Sequence, residues 1–244
     1  GSEMCIRDSH KAVDKVNLHI KKGAIYGFIG RNGAGKTTCL KMISGLARPT
    51  AGEIEMFGCK GKELERIRSR VGCLIEAPGL YGNMNAYTNL KIKCELFGIR
   101  KKGYIEDILE TVGLEGVGKK KTKHFSLGMK QRLGIGLALV GEPDLLVLDE
   151  PINGLDPQGI AEVRDTIQRL RDERNMTILI SSHILEELSK IATDYGIIHN
   201  GSLLQELTSE ELMKRCSERI EIELIHPEQA VPILDRMGFT LSLI

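Results

Sequence analysis

The stretch from Gly30 to Thr38 constrains this chain more than any other, because it fits the pattern G-x-x-x-x-G-K-[ST] at every fixed position. The apolar run from Ala24 to Ile29 precedes it and predicts a buried strand, and residues 39–46 predict a helix. A strand, a glycine-rich loop and a helix in this order are the context that a phosphate-binding P-loop requires. The dinucleotide-binding pattern G-x-G-x-x-G does not fit the glycine spacing, so we set that alternative aside.

The residue types of this loop indicate its chemistry. Glycines let consecutive backbone N–H groups turn inward, and with the helix N-terminus these groups form a pocket for anionic oxygens. Lys36 would place its charge on the outer phosphates, and the Thr37 hydroxyl would bind Mg²⁺. The predicted nucleotide-binding residues are Gly30, Arg31, Asn32, Gly33, Ala34, Gly35, Lys36, Thr37 and Thr38.

A second phosphate-site signal lies 113 residues after Lys36, where four apolar residues are followed by Asp149-Glu150. A strand that ends in aspartate beside a P-loop delivers a carboxylate to the Mg²⁺ shell. Glu150, one residue later, points in another direction because side chains alternate along a strand. We therefore predict Asp149 as a metal ligand and Glu150 as the base that accepts a proton from an attacking water.

Composition limits the remaining possibilities. The chain has 244 residues, 41% of them hydrophobic, few aromatic residues and no tryptophan, which predicts a mostly aliphatic core. A formal net charge of +1 gives no reason to expect a nucleic-acid partner. The six cysteines contain no C-x-x-C pair, which is typical of reduced thiols in a cytosolic protein. Residues 133–140 form the longest strongly apolar stretch, so any membrane spans would come from another chain.

Hydrophobic periodicity predicts an α/β fold: a P-loop NTPase core with a mixed sheet, an antiparallel β-subdomain and an inserted helical subdomain. Asn200-Gly201 predicts a tight hairpin turn. The predicted strands cover residues 13–20, 24–29, 53–57, 71–75, 145–148, 177–181 and 195–199. The predicted helices other than the P-loop helix cover residues 63–69, 85–97, 104–112, 157–172, 184–191 and 208–216.

We expect three parts along the chain. Residues 1–9 form an atypical leader, in which Gly1-Ser2 resembles a cloning remnant. Residues 10–207 form the main domain, and its helical subdomain covers about residues 76–140. Residues 208–244 form a small α+β appendage, which we expect to be incomplete because the chain stops where another strand would begin.

Three further segments, taken with the P-loop, resemble the ATP-binding subunit of ABC transporters. Residues 125–132 (F-S-L-G-M-K-Q-R) are similar to the ABC signature, usually L-S-G-G-Q. Residues 149–157 (D-E-P-I-N-G-L-D-P) resemble the ABC strand end and its D-loop, and Ser181-Ser182-His183 resembles the switch-histidine segment. The resemblance covers about residues 11–207, and the ordered set is specific even though only the P-loop is decisive alone.

The resemblance implies a composite site between two copies of the domain. Two domains stack head to tail around two ATP molecules, with Mg²⁺, and each ATP contacts the P-loop of one copy and the signature of the other. The signature residues acting in trans would be Ser126, Leu127, Gly128 and Met129. His183 would contact the γ-phosphate and hold the attacking water. Asp156 would organise the dimer seam, and by its position it would also cap the helix that starts at Pro157.

The chain departs from the family pattern at several positions. Glu76 replaces a glutamine that contacts the metal, and we retain Glu76 as a metal ligand because glutamate keeps an oxygen donor. Our hypothesis is that Glu76 tunes coupling rather than chemistry. Leu127 and Met129 replace a glycine and a glutamine of the signature. The aromatic residue that stacks on adenine is missing, and Arg7 or a neighbour stands in its place.

This resemblance implies an ATPase subunit of a bacterial ABC exporter, most similar to those that protect against bacitracin or lantibiotic peptides. Its partners would be a second copy or a closely related ATPase subunit, and a separate polytopic membrane permease. It would lie in the cytoplasm, at the inner face of the membrane through that permease. The alternatives are an ABC ATPase that moves no solute, a hydrolysis-impaired nucleotide-binding module, and an importer subunit.

Overall fold

The computed structural model describes residues 11–217. The predictions for the leader at residues 1–9, for Arg7 and for most of the appendage at residues 208–244 concern residues outside this range. The chain divides into two units after Ser209. All elements up to the last strand belong to the first unit.

A mixed sheet forms the centre of the first unit. Its described strands, in the order β4-β5-β6-β1-β7-β8, number six, and five of them are parallel while β8 runs antiparallel to β7. A separate two-stranded hairpin pairs β2 with β3. The strands are β1 Ile25–Ile29, β2 Glu55–Met56, β3 Cys59–Lys60, β4 Val71–Leu74, β5 Leu145–Asp149, β6 Thr177–Ser182, β7 Asp194–His199 and β8 Ser202–Thr208. Because β5 and β6 are buried along their whole length, their sequences are continuous apolar runs up to the polar residues at their ends.

The three longest described helices begin at residues whose side chains cap them. Asn85 accepts a hydrogen bond from the Thr88 N–H at 2.8 Å, and Asp156 precedes Pro157 at the first helical position. Asn175, in the left-handed conformation, ends the longest described helix. The helices are α1 Lys36–Ile43, α2 Leu64–Ile67, α3 Ala86–Leu96, α4 Tyr104–Thr111, α5 Leu127–Leu139, α6 Pro157–Arg174, α7 Leu185–Leu188 and α8 Ser209–Ser217.

The predicted helical insertion lies between two neighbouring strands. β4 and β5 pair in parallel, with Val71 opposite Leu145, and α3, α4 and α5 lie between them in sequence. Arg132 of α5 fastens this layer, because its guanidinium donates to the carbonyl oxygens of Val112 (3.0 Å) and Gly113 (2.6 Å) at the end of α4. The fold class predicted from the sequence is therefore confirmed.

The predicted Asn200-Gly201 turn is confirmed. Both residues have positive φ, 46° and 79°, as a two-residue turn of the primed type requires, and they join β7 to β8. The antiparallel β-subdomain is smaller than expected, because the strand predicted at residues 53–57 is limited to β2. Phe57 (φ 53°) and Gly58 (φ 76°) turn the chain into β3 at once.

The strand predicted at residues 13–20 is wrong, because this segment has no strand pairing within the described chain. Its backbone donors are satisfied elsewhere: the Asp14 N–H donates to the Gly201 carbonyl at 2.8 Å, and the His19 N–H donates to the Glu206 carboxylate at 2.9 Å. The Glu206 carboxylate thus accepts the hydrogen bond that a backbone carbonyl of a neighbouring strand would accept in a sheet. The helix predicted at residues 184–191 is also shorter, since α7 covers only Leu185–Leu188.

The core under the sheet is aliphatic with two aromatic residues, as composition indicated. Tyr26 and Phe28 of β1 pack with Leu40 of α1, Val147 of β5 and Leu179 of β6, and all five are nearly inaccessible to solvent. These contacts fix α1 against the strands whose ends carry the predicted site. Between residues 11 and 217, no helix is long and apolar enough to cross a membrane.

Candidate nucleotide-binding and catalytic site

The carboxyl ends of three adjacent parallel strands bring the predicted residues together. The P-loop follows β1, Asp149 ends β5 and Glu150 follows it, and His183 follows β6, which lies between the other two strands. The ends are level, because Ile29 pairs with Ser182 and Asp149 pairs with Ser181. Ligands of open α/β sheets bind outside this edge, at the carboxyl ends of the strands.

The P-loop presents an uncapped helix N-terminus. Gly35 precedes α1 with φ 104°, and no side chain caps the first turn. A Cβ at Gly35 would lie 2.7 Å from the Ala12 carbonyl oxygen, so this position requires glycine for space as well as for conformation. Lys36 is only 5% exposed, and its Nζ donates to the carbonyl oxygens of Gly30 (2.5 Å) and Arg31 (3.2 Å). The loop therefore combines free helical N–H groups with a buried cation, which is the chemistry of a triphosphate site.

Thr37 and Asp149 meet as a pair of oxygen ligands. The Thr37 Oγ1 hydroxyl donates to Asp149 Oδ2 at 2.8 Å, and the other carboxylate oxygen, Oδ1, accepts from the Ser181 hydroxyl at 2.6 Å. Asp149 is 5% exposed. A hydroxyl oxygen next to a carboxylate oxygen is a donor set that Mg²⁺ prefers, particularly beside a phosphate site. The residues present therefore fit the metal that the motif implies.

Glu150 lies between Lys36 and His183. Its Oε1 is 3.1 Å from Lys36 Nζ and its Oε2 is 2.9 Å from His183 Nδ1. Glu150 has φ 48°, so the chain leaves strand geometry here and turns this carboxylate toward the P-loop. Oε1 is buried, and its contact with the Lys36 ammonium falls outside hydrogen-bond geometry. The structure thus brings Lys36, Asp149, Glu150 and His183 into one site.

The signature residues form a different kind of helix start. Ser126 is exposed, and its Oγ accepts a hydrogen bond from the Met129 N–H at 3.2 Å, which caps α5. Leu127 is 48% exposed, whereas Gly128 is buried. A Cβ at Gly128 would lie 3.3 Å from the Cα of Gly159, so α5 and α6 pack closely at their N-termini.

Asp156 caps the neighbouring helix, as its position predicted. Its Oδ1 accepts from the Gly159 N–H at 3.2 Å, at the start of α6. This contact confirms the capping role. The role of Asp156 at a dimer seam stays a prediction.

Glu76 forms an ion pair with Lys41 and does not hydrogen-bond to the predicted metal ligands Thr37 and Asp149 in the described chain. Its Oε1 lies 2.6 Å from Lys41 Nζ of α1, the Glu76 side chain is 65% exposed, and its φ is 64°. This pair joins the end of β4 to α1 rather than to Thr37 or Asp149. A role for Glu76 as a metal ligand therefore stays a prediction.

Sequence reasoning missed three residues that shape this site. Ser181 was noted only as part of a motif, although a serine inside a buried apolar strand is a signal of a specific hydrogen bond. Lys41 and Gly159 gave no local signal, because their partners Glu76 and Gly128 are distant in sequence.

This fold and this site define a P-loop nucleoside triphosphatase, with the phosphate loop, the strand-end carboxylates and a histidine at one sheet edge. The family model described as "ABC transporter" matches residues 13–153 of the chain. The chain therefore belongs to the ABC transporter family, as one of its ATP-binding cassettes, which are ATPases.

Relatives and solved structures agree with this assignment. The chain is 49% identical to the bacitracin transport ATP-binding protein BcrA of Bacillus licheniformis, over 93% of this chain and 75% of that protein. It is 46% identical to the lantibiotic transport ATP-binding protein SrtF of Streptococcus pyogenes, over 80% of this chain and 83% of that protein. A solved ATP-binding subunit of an ABC transporter superposes with a TM-score of 0.71 at 29% identity, covering 84% of this chain and 87% of that one.

Proposed function

We propose that this chain is the ATP-hydrolysing subunit of a bacterial ABC exporter for peptide antibiotics such as bacitracin or lantibiotics. Two copies would bind head to tail around two ATP molecules and drive a separate membrane permease from the cytoplasmic side. The observation that carries the proposal is the cluster of Lys36, Glu150 and His183 beside the Thr37–Asp149 pair. Residues at that one sheet edge could contact a nucleotide phosphate, a metal and an attacking water together.

Each residue of this cluster has a separate task. The α1 N–H groups and Lys36 bind the β- and γ-phosphates, and Thr37 and Asp149 hold Mg²⁺. When bound, Mg²⁺ neutralises charge on the phosphate oxygens. Glu150 orients the attacking water and accepts its proton, and His183, 2.9 Å from Glu150, holds the carboxylate and contacts the terminal phosphate. The products are ADP and inorganic phosphate.

The second half of the site would come from another copy. Within the described chain, no hydrogen bond joins the Ser126 loop to Lys36, Asp149 or Glu150, and the Ser126 side chain is exposed. An exposed helix N-terminus with a hydroxyl and a small residue is suited to an external anion. We assign Ser126, Leu127, Gly128 and Met129 to the triphosphate held by the partner copy, with Asp156 at the seam.

The transport role rests on the relatives. Their printed names describe the transport of bacitracin and of lantibiotics, and the chain shares 46–49% of its residues with them over the aligned lengths. At such identity we infer the same class of cargo for this chain. These names favour a transport role over an ATPase that moves no solute. Export rather than import is part of our proposal.

The central experiment is Glu150→Gln, which keeps the shape of the side chain and removes the base. We expect ATP binding to persist, hydrolysis to fall about 100-fold or more, and an ATP-held dimer to accumulate. Phosphate release and light scattering after gel filtration, with ATP and with ADP, measure these effects. Full turnover in this variant would exclude Glu150 as the base, and a monomer with ATP would contradict the sandwich. A wild-type chain that releases no phosphate at high concentration would identify a binding module.

The transport role has its own test. The chain should be co-expressed with a candidate polytopic permease, such as one encoded beside its gene, in a bacterium sensitive to bacitracin and lantibiotics. We expect a several-fold rise in the inhibitory concentration, and none with Glu150→Gln. Equal sensitivity of both strains would contradict the cargo class while leaving the ATPase assignment intact.

A further inference from the structure

Ser181 is a fully buried serine near the carboxyl end of β6, and its hydroxyl connects Asp149 with the backbone of Glu150. Its Oγ donates to Asp149 Oδ1 at 2.6 Å and accepts from the Glu150 backbone N–H at 3.0 Å. A serine hydroxyl has one proton, and a carboxylate only accepts, so the direction of both hydrogen bonds is fixed. Asp149 uses the proton, and a lone pair remains for the Glu150 N–H.

The bond to Glu150 occurs where the sheet ladder stops. Asp149 is the last residue of β5 and pairs with Ser181 of β6, and Glu150 follows with φ 48°. A left-handed conformation at a residue other than glycine is strained and persists only where surrounding contacts enforce it. The Ser181 hydroxyl supplies such a contact, because it accepts the N–H that the ladder no longer engages.

We propose that Ser181 is a positioning residue for ATP hydrolysis, because it holds the Glu150 backbone in the turn that aims the carboxylate at Lys36 and His183. This inference rests on the proposed role of Glu150 as the base. Asp149 itself has other supports, since its Oδ2 accepts from Thr37 and its backbone lies in the β5–β6 ladder. Loss of the Ser181 hydroxyl therefore changes the orientation of Glu150 more than that of Asp149.

The chain offers a matched control on the same strand. Thr177, at the opposite end of β6, is also buried, and its Oγ1 accepts a backbone N–H, from Gly23, at 2.9 Å. Thr177→Val removes a buried hydroxyl that accepts a backbone N–H, as Ser181→Ala does, but far from the site. If a weakened strand alone lowered kcat, the decrease in kcat should be similar in Ser181→Ala and Thr177→Val.

The first measurement separates rate from binding. We expect Ser181→Ala to lower kcat about 10- to 100-fold while the KM for ATP and the affinity for a fluorescent ADP analogue change less than about threefold. Thr177→Val should leave kcat within about threefold of wild type. Thermal unfolding shows whether each variant is folded at the assay temperature. If Ser181→Ala is unfolded, Ser181→Cys, which has a weakly hydrogen-bonding thiol of similar shape, is used in its place.

The second measurement is a double-mutant cycle with Glu150→Gln. A residue that acts through Glu150 should lose most of its effect when the carboxylate is absent, so Ser181→Ala should cost less than about threefold in the Glu150→Gln background. Equal losses in both backgrounds, or a Ser181→Ala rate within about threefold of wild type, would overturn the proposal while leaving Glu150 as the base. Full turnover of Glu150→Gln alone would overturn both assignments, so the two failures are distinguishable.

Discussion

Helices α1 and α5 both begin at a loop that is suited to a phosphate, yet their N-termini are completed in opposite ways. α1 follows Gly35 and has no side-chain cap, whereas Ser126 caps α5. The first residues of α1 contact the predicted metal ligand and the predicted base of the same chain, through Thr37–Asp149 and Lys36–Glu150. The Ser126 side chain at the start of α5 makes a local hydrogen bond, and Ser126 and Leu127 are exposed.

One chain can therefore carry two parts of a nucleotide site, at the N-termini of α1 and α5, that do not contact each other within the same copy. The α1 N-terminus is connected to the residues that would hold metal and water, so hydrolysis would occur there if these assignments are correct. The α5 N-terminus is already stable without a ligand, because its cap satisfies an N–H that would otherwise need one. It is therefore suited to complete a site from outside, and the following predictions test that division.

The largest effect should come from the lysine of the P-loop. Lys36→Met keeps the length of the side chain and removes its charge, and we expect turnover to fall about 100- to 1,000-fold, with weaker ATP binding. Lys41→Met is the matched control on the same helix, because Lys41 pairs with exposed Glu76, and its turnover should stay within about threefold. Phosphate release and nucleotide titration measure both variants. Similar losses in the two would mean that helix charge, rather than the position of Lys36, sets the rate.

The second prediction concerns the other helix start. Ser126→Asp keeps a good N-cap residue but places a negative charge where the partner's triphosphate would lie. We expect the helix and the thermal stability to be preserved and turnover to fall about 10- to 100-fold. Ser126→Asn, a neutral cap residue of nearly the same shape as aspartate, is the control, and its turnover should fall much less than that of Ser126→Asp. Equal turnover of the two variants would show that Ser126 does not face phosphate.

A mixture of two inactive chains would decide whether the halves combine in trans. In a dimer of Lys36→Met with Ser126→Asp, one site receives both defects and the other receives an intact P-loop and an intact signature. Random pairing should therefore restore about a quarter of the wild-type number of sites. Recovered phosphate release on mixing, above either variant alone, is the expected result. No recovery at concentrations that form dimers would contradict a composite site.

The parts of this site that lie close together in sequence could be predicted, and the parts that depend on long-range contacts could not. The P-loop, Asp149-Glu150 and the Asn200-Gly201 turn each carry their signal within a few residues. The alternation at residues 13–20 predicted a strand, but that segment is held by the Glu206 side chain, 187 residues from His19. No local pattern reports such an acceptor.

The same limit applies within the site. Glu150 follows a strand, and alternation predicts only that it points away from Asp149. Its left-handed turn depends on the Ser181 hydroxyl, 31 residues later, and places its carboxylate beside Lys36 instead. Sequence thus predicted which residues would carry the chemistry, and tertiary contacts decided how those residues are oriented.

A smaller effect on hydrolysis is expected at Glu76, which pairs with Lys41 of α1. Because Glu76 is exposed and pairs with Lys41, we expect Glu76→Gln to change basal hydrolysis less than about threefold, while the response to the permease changes more. ATPase assays of the isolated chain and of the chain with its permease, each titrated with Mg²⁺, measure both. Loss of basal hydrolysis, or a large shift in the Mg²⁺ requirement, would place Glu76 in the metal shell instead.

The smallest effect is expected for Glu206, which contacts the segment of residues 11–22. A change at Glu206 should lower stability without changing turnover. Glu206 holds the segment of residues 11–22 to the sheet, because it accepts hydrogen bonds from the His19 N–H and from the Tyr26 hydroxyl of β1 (2.6 Å). Burial raises the pKa of Glu206, but the hydrogen bonds from Tyr26 and His19 outweigh it, so the net pKa lies below its ordinary value of 4.5. The carboxylate therefore adds stability above about pH 4.5, and this contribution is lost as the pH falls through the lowered pKa.

Glu206→Gln should thus destabilise the fold by about 1 kcal/mol at pH 7, with turnover unchanged below the melting transition. The difference from wild type should shrink below about pH 4.5, because protonated glutamate resembles glutamine. Urea unfolding at pH 7 and at pH 4 measures it, and Glu53→Gln, in an exposed ion pair with Lys60, is the control. A difference that grows toward low pH would mean that the Glu206 pKa is raised rather than lowered by folding. A loss of ATP affinity at pH 7 would show that the anchored segment, and not the α1 loop alone, shapes the nucleotide side of the molecule.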